Sequence, residues 1–124
     1  MVIKESAENY LEAILMIKNK KGAVRSIDIA NHLNFTKPSV SVAMKGFRKD
    51  GYIVVDDDGN INLTEKGMQI AVGIYERHEV IAKALIALGV DKETAYEDSC
   101  KVEHDISQQT FDKIKNYLHK KDII

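Results

Sequence analysis

The sequence predicts a mainly α-helical chain with one small β-hairpin. Three observations carry this. Apolar residues recur at helical spacing over most of the 124 residues. Side chains suited to helix N-caps precede five of those stretches, at Ser26, Thr36, Thr64, Asp91 and Ser107. Two short β-prone runs flank the turn-forming Asp56-Asp57-Asp58-Gly59-Asn60.

Taken in order, Ser6 to Asn19 is helical, with Tyr10, Leu11, Ile14, Leu15 and Ile17 on its apolar side and Lys20-Lys21-Gly22 closing it. Ser26 is expected to cap a short helix carrying Ile27, Ile29, Ala30 and Leu33, and Asn34-Phe35 then turns the chain. Thr36 suits the N-cap of the next helix, Pro38 suits its first turn, and Val40, Met44 and Phe47 form its apolar stripe. Asp50-Gly51 stops that helix. Tyr52 to Val55 and Ile61 to Leu63 make the hairpin. Thr64 caps a long helix to about Leu88, ended by Gly89. Asp91 is expected to cap a helix that continues through Cys100 and His104, and Ser107 a last one with Phe111, Ile114 and Leu118 on one face.

Two helices joined by a short turn, the second of them basic, followed by a hairpin, are the parts of a winged helix-turn-helix. The expected organisation is a winged helix-turn-helix DNA-binding domain over residues 1–70 and an all-helical lobe over 71–124. That lobe carries more apolar face than a monomer of this size needs, so a homodimer is expected.

Composition narrows the class. The chain is 44% hydrophobic and 30% charged, which fits a folded soluble protein. No apolar run approaches the roughly 20 residues of a membrane span, and Met1 to Ser6 lacks the apolar centre of a signal peptide. A single cysteine excludes an internal disulfide. These features predict a cytoplasmic protein without a membrane partner. The sequence contains no HExxH, nucleophile elbow or phosphate-cradling glycine loop, so no enzyme is expected.

The net charge of −1 does not advertise nucleic-acid binding, but the distribution does. Thr36 to Lys49 holds four basic residues and no acid. Small polar groups and positive charge belong on a helix that enters a DNA groove. Thr36, Lys37, Pro38, Ser39, Ser41 and Val42 occupy its first turns, Lys45, Arg48 and Lys49 lie further along, and Arg25 precedes the helix pair. Phosphate would repel the triple-Asp wing tip. A winged helix used only for protein contacts is the alternative.

Asp91 to Asp105 holds six acids against two lysines, a face that can meet a cation. Within it Cys100, Glu103 and His104 stand at i, i+3 and i+4, which places three potential ligands on one helical face. A thiolate, a carboxylate and an imidazole suit a first-row divalent metal. His78 on the preceding long helix, and Asn9 and Glu12 one turn apart on the first, can join them. Each also has an ordinary reading: a lone Cys packs as a small hydrophobe, a Glu-His pair is solvated, and His78 bonds a neighbouring carboxylate.

The chain resembles the diphtheria toxin repressor and manganese transport regulator family, the iron- and manganese-dependent repressors. The resemblance spans nearly the whole chain. It rests on Glu8-Asn9-Tyr10-Leu11-Glu12-Ala13-Ile14, Ile29-Ala30-Asn31-His32-Leu33, Pro38-Ser39-Val40-Ser41, Asp50-Gly51-Tyr52-Ile53, Leu63-Thr64-Glu65-Lys66-Gly67, Arg77-His78-Glu79 and Cys100-Lys101-Val102-Glu103-His104. It implies a regulator whose dimer is ordered for operator DNA by Fe(II) or Mn(II), with Zn(II) able to bind in vitro, and repression of metal-uptake genes. The family's ligand positions fall on Asn9, Glu12, His78, Cys100, Glu103 and His104. Cys100 resembles the iron branch and Glu12 the manganese branch. Asn9 stands where members carry Asp or Met, Tyr96 and Ala82 stand where the iron branch has ligands of a second site, and Val42 replaces a longer polar reader. The competing expectation is a winged-helix regulator that is metal-independent or senses a small organic effector.

Overall fold

A computed structural model describes residues 5–124. Its elements follow the order α1 (Glu5–Lys21), α2 (Ser26–Leu33), α3 (Lys37–Lys49), β1 (Ile53–Val55), β2 (Ile61–Leu63), α4 (Glu65–Ala87), α5 (Lys92–Val102) and α6 (Gln108–Lys120). The described chain divides into two compact units after Val72.

In the first unit α1 packs on α2 and β2, α2 on α3, and α3 on β1. Leu11, Ile14, Ile29, Val40, Ile53 and Ile61 are fully buried there. An aromatic chain links the parts. Tyr10 of α1 meets Phe35 of the α2–α3 turn edge-on with ring centroids 5.4 Å apart, and Phe47 of α3 at 5.7 Å. Phe47 in turn meets Tyr52 at 6.2 Å. Edge-to-face pairs of this kind add about 0.5–1.5 kcal/mol each beyond their buried area.

Local chemistry sets the helix limits. Ser26 is not the cap of α2: it is the first helical residue, and Arg25 is the N-cap. The Asp28 carboxylate accepts the Arg25 N–H at 2.9 Å and the Lys21 ammonium at 2.7 Å. The lysine bond first, and the backbone bond next, hold the Asp28 carboxyl below its usual range. Asn34 ends α2 in the left-handed region at φ 59°, a conformation Asn tolerates better than most residues. Thr36 caps α3 by accepting the Ser39 N–H, with Pro38 in the first turn.

β1 and β2 pair antiparallel, with Ile53 opposite Leu63 and Val55 opposite Ile61. At the tip the Asp56 carboxylate accepts from the backbone of Asp58 and Asn60, both at 2.9 Å. Thr64 joins hairpin to helix. Its hydroxyl donates to the Gly51 carbonyl at 2.6 Å and accepts the Gly67 N–H at 3.2 Å.

Gly67 is required for a different reason. A Cβ there would lie 2.1 Å from the Tyr52 carbonyl oxygen, so the start of α4 sits directly on the backbone that follows α3.

The second unit comprises the rest of α4 with α5 and α6. Val80, Phe111 and Leu118 form its buried cluster, with Ala84, Ile106, Ile114 and Ile124 packed on it. Asp91 and Ser107 cap α5 and α6 through the Thr94 and Thr110 N–H groups. The expected continuation of α5 through His104 is corrected: the helix ends at Val102, Glu103 is its C-cap, and His104 lies in the turn beyond.

The two glycines of α4 make a paired test. Gly67→Ala forces the Tyr52 backbone aside and is expected to destabilise the protein by about 1–3 kcal/mol or more. A Cβ at Gly73 meets no described atom within 4 Å, so Gly73→Ala is expected to stabilise by about 0.5–1 kcal/mol. Denaturant unfolding of both variants reads the signs, and equal effects would contradict the close contact at Gly67.

Candidate metal centre and nucleic-acid interface

The helical unit assembles four of the six expected ligands. His78, on α4, is buried, and its Nδ1 lies 2.9 Å from Glu103 Oε2. The same nitrogen is 3.6 Å from Cys100 Sγ. His104 Nε2 lies 3.3 Å from the other Glu103 oxygen, Oε1, outside hydrogen-bond geometry. Glu103 itself is 0% exposed, and no hydrogen-bond donor among the described residues reaches its Oε1.

This is a costly place for a carboxylate. Burial disfavours its charge, and the C-terminal end of a helix, where α5 places it, carries partial negative charge. The cluster therefore demands a cation. In the metal-free chain the imidazole supplies it. Cys100, and next the Glu103 carboxylate, push His78 up from its ordinary value to about 10, against the opposing effect of burial. A group raised in this way stabilises the fold most fully below its unfolded pKa, and the contribution is lost as pH rises through about 10.

The donor set fits a divalent ion. Imidazole, carboxylate and thiolate are all metal ligands of a first-row transition ion, and the undonated Glu103 Oε1 offers a lone pair inside the cluster. The i, i+3, i+4 spacing of Cys100, Glu103 and His104 does not act as one helical face. The turn after Val102 brings His104 against Glu103, and its side chain is only 2% exposed. Cys100 is exposed at the rim.

Asn9 and Glu12 lie one turn apart on α1 in the first unit, Asn9 half-buried and Glu12 buried.

Spacing does not reveal two participants. Ser99, 0% exposed, donates its hydroxyl to the His78 carbonyl at 2.5 Å and lies 3.3 Å from His78 Nδ1. Arg77 reaches the Glu103 carbonyl at 2.9 Å. Tyr96, where the resemblance places a second-site ligand in the iron branch, instead donates to Glu79 Oε2 at 2.8 Å.

The first unit presents the expected DNA-facing residues. Thr36, Lys37, Pro38, Ser39, Ser41, Val42, Lys45 and Lys49 are all exposed on or before α3, with Val42 at 72%. The Thr36 hydroxyl donates to Ser39 Oγ at 2.8 Å, which leaves the Ser39 hydrogen for another acceptor. Ser26, Ser41, Met44, Lys45, Arg48 and Val55 line a niche of about 190 Å³. Two hydroxyls and two cations around such a niche suit a phosphate.

Arg25 is exposed and serves the wing. A Cβ on Gly59 would come 4.0 Å from its Nη1. Asp56, held below the usual carboxylate range first by its bond from the Asn60 backbone, is lowered further by the Arg25 charge. The repulsion expected from the triple-Asp tip is thus offset in part from within the domain.

Comparison with known proteins agrees with both halves. Residues 3–61 match the N-terminal DNA-binding domain of the iron-dependent repressors, and residues 64–122 match their metal-binding and dimerisation domain. An HTH-type transcriptional regulator of Methanocaldococcus jannaschii is 33% identical over 120 residues, 95% of this chain and 96% of that protein. The chain belongs to the iron-dependent repressor family. The HTH-type transcriptional regulator MntR of Lysinibacillus sphaericus is 34% identical over 113 residues, 91% of this chain and 81% of that protein. Among solved structures, the metal-dependent transcriptional regulator MtsR superposes with a TM-score of 0.82 at 25% identity, over 91% of this chain and 53% of its own. The chain thus spans about half the length of that structure.

Membership makes this chain a metal-responsive, DNA-binding transcriptional regulator of the repressor type, which is not an enzyme class. Among the described residues no helix is long and apolar enough to cross a membrane.

The niche beside α3 generates a test. Lys45→Ala and Arg48→Ala are each expected to weaken DNA binding across sequences and to reduce the slope of log affinity against log salt by about 1. An unchanged slope in both would remove this face from the phosphate interface.

Proposed function

We propose that the chain represses metal-uptake genes as a homodimer in the cytoplasm, and that Fe(II) or Mn(II) at the His78–Glu103 cluster switches it to its operator-binding form. The buried Glu103 carboxylate, 2.9 Å from His78 with a second oxygen that receives no hydrogen bond, carries this reading. His78, Cys100, Glu103 and His104 are the proposed ligands within the helical unit. Glu12 and Asn9, one turn apart on α1, are added from that spacing and from the family resemblance, and Asn9, a neutral amide, is the weakest of the set.

The bound ion supplies fixed positive charge where the chain has gathered negative charge. Its identity follows from two leanings. The relatives named MntR favour Mn(II). The Cys100 thiol favours Fe(II), and Zn(II) binds such a mixed set tightly in vitro, because affinity follows the Irving–Williams order rather than cellular use. The response requires that the DNA-competent state hold the ion more tightly than the other, and couplings of this type are about 1–3 kcal/mol. In the dimer two α3 helices would read half-sites about 34 Å apart or a multiple of that distance.

The test is DNA binding to a panel of promoter fragments by metal-stripped protein, repeated with Mn(II), with Fe(II) under anaerobic conditions and with Zn(II). Mn(II) or Fe(II) is expected to tighten specific binding about 5- to 150-fold, and Glu103→Ala to abolish the gain. Specific binding that ignores every metal would leave a DNA-binding regulator without this switch.

A further inference from the structure

The two ligands at the centre of the helical unit are cross-braced through their own backbone carbonyls. Arg77 precedes His78 on α4. Its Nη1 donates to the Glu103 carbonyl at 2.9 Å and to the Ile106 carbonyl at 3.1 Å. Its Nη2 donates to Gln108 Oε1 at 3.0 Å. Ser99, four residues before Glu103, donates to the His78 carbonyl at 2.5 Å. A residue on the helix of each ligand thus grips the main chain of the other.

Further contacts stiffen the brace. The guanidinium lies 5.3 Å from the Phe111 ring centroid, and Phe111 belongs to the buried cluster of this unit. The Glu103 N–H donates to the Ser99 carbonyl at 3.0 Å, so Glu103 is held at both its N–H and its C=O. The planar guanidinium spreads these bonds over two nitrogens, Nη1 on the two carbonyls and Nη2 on Gln108, a geometry that the single nitrogen of a lysine cannot reproduce. The positive charge also lies at the carboxyl end of α5, where it opposes the helix dipole.

We propose that Arg77 and Ser99 are positioning residues for the metal centre: together they fix the separation of His78 and Glu103 and the course of the turn that carries Glu103 and His104. Neither side chain is itself a ligand. The proposal rests on the reading of the His78–Glu103 cluster as a metal site. Residues that orient ligands in this way typically contribute 10- to 100-fold to metal affinity.

The test measures Mn(II) affinity, the visible spectrum of the Co(II) form and the thermal unfolding of the metal-free protein. The chains compared are the wild type, Arg77→Ala, Arg77→Lys, Ser99→Ala, Glu103→Ala and Lys115→Ala. Lys115 pairs with Glu76 and links α6 to α4 without touching the centre. Arg77→Ala and Ser99→Ala are expected to lose about tenfold or more in Mn(II) affinity and to change the Co(II) spectrum. Arg77→Lys should fall between Arg77→Ala and wild type. Lys115→Ala should keep wild-type affinity and spectrum whatever it does to unfolding.

Wild-type affinity and spectrum in both Arg77→Ala and Ser99→Ala would overturn the brace. So would losses that Lys115→Ala matches at equal destabilisation. If Arg77→Ala does not fold, Ser99→Ala, which removes one oxygen atom, decides alone. If the wild type binds Mn(II) no better than Glu103→Ala does, the reading of the site fails, and the brace with it.

Discussion

A carboxylate buried at the negative end of a helix is the constraint around which the second unit is built. Glu103 is fully buried and caps α5, and the His78 nitrogen that meets its carboxylate lies 3.6 Å from the Cys100 sulfur. Burial and the helix dipole both oppose its charge, and a buried charge persists only when paired and hydrogen-bonded. The chain responds with three cationic or cation-capable groups. Arg77 takes the carbonyls at the helix end, His78 takes one carboxylate oxygen, and His104 approaches the other. The same negative potential that favours a protonated imidazole in this cluster would favour a divalent ion there, as the proposed function requires.

The first unit answers a different demand. A recognition helix needs one face held firmly and the other left bare. Val40 and Met44 are buried while Lys37, Ser41, Val42, Lys45 and Lys49 are exposed. The aromatic chain from Phe35 through Tyr10 and Phe47 to Tyr52 fixes α3 against α1 and against the segment that leads into the wing. Lys66 lies over the Tyr52 ring and donates to the Asp50 carbonyl, so the beginning of α4 is anchored to the end of α3 within the same unit.

Much of this was legible in the sequence because local chemistry decides it. Thr36, Thr64, Asp91 and Ser107 cap the helices they were expected to cap, since an N-cap depends on one side chain and the three residues after it. The hairpin follows from its Asp/Gly/Asn turn. The cap of α2 falls one residue before the expected Ser26 because Asp28, at the third helical position, accepts the Arg25 N–H and holds Arg25 at the helix start. The end of α5 was illegible for a longer-range reason. No glycine or proline interrupts Val102 to Ile106; the stop comes from Arg77, 26 residues away, which takes the Glu103 carbonyl, and from Ser107, which opens the next helix. Ser99 was invisible for the same reason. A serine among polar neighbours gives no periodic signal, and its importance lies in a carbonyl 21 residues back. The link between Arg25 and the wing tip likewise exists only once the chain is folded.

The most direct measurement counts protons as the metal-free protein takes up Mn(II), by calorimetry at about pH 7.5 in two buffers of different ionisation enthalpy. With His78 titrating at about 10, its proton must leave before the nitrogen can bind an ion. The account predicts release of about one proton per ion or more, since a coordinating thiolate adds its own, and an affinity that rises with pH. Tight binding with no proton released, equally strong at about pH 6 and pH 8, would show that the ion does not take the place of the imidazole proton beside Glu103.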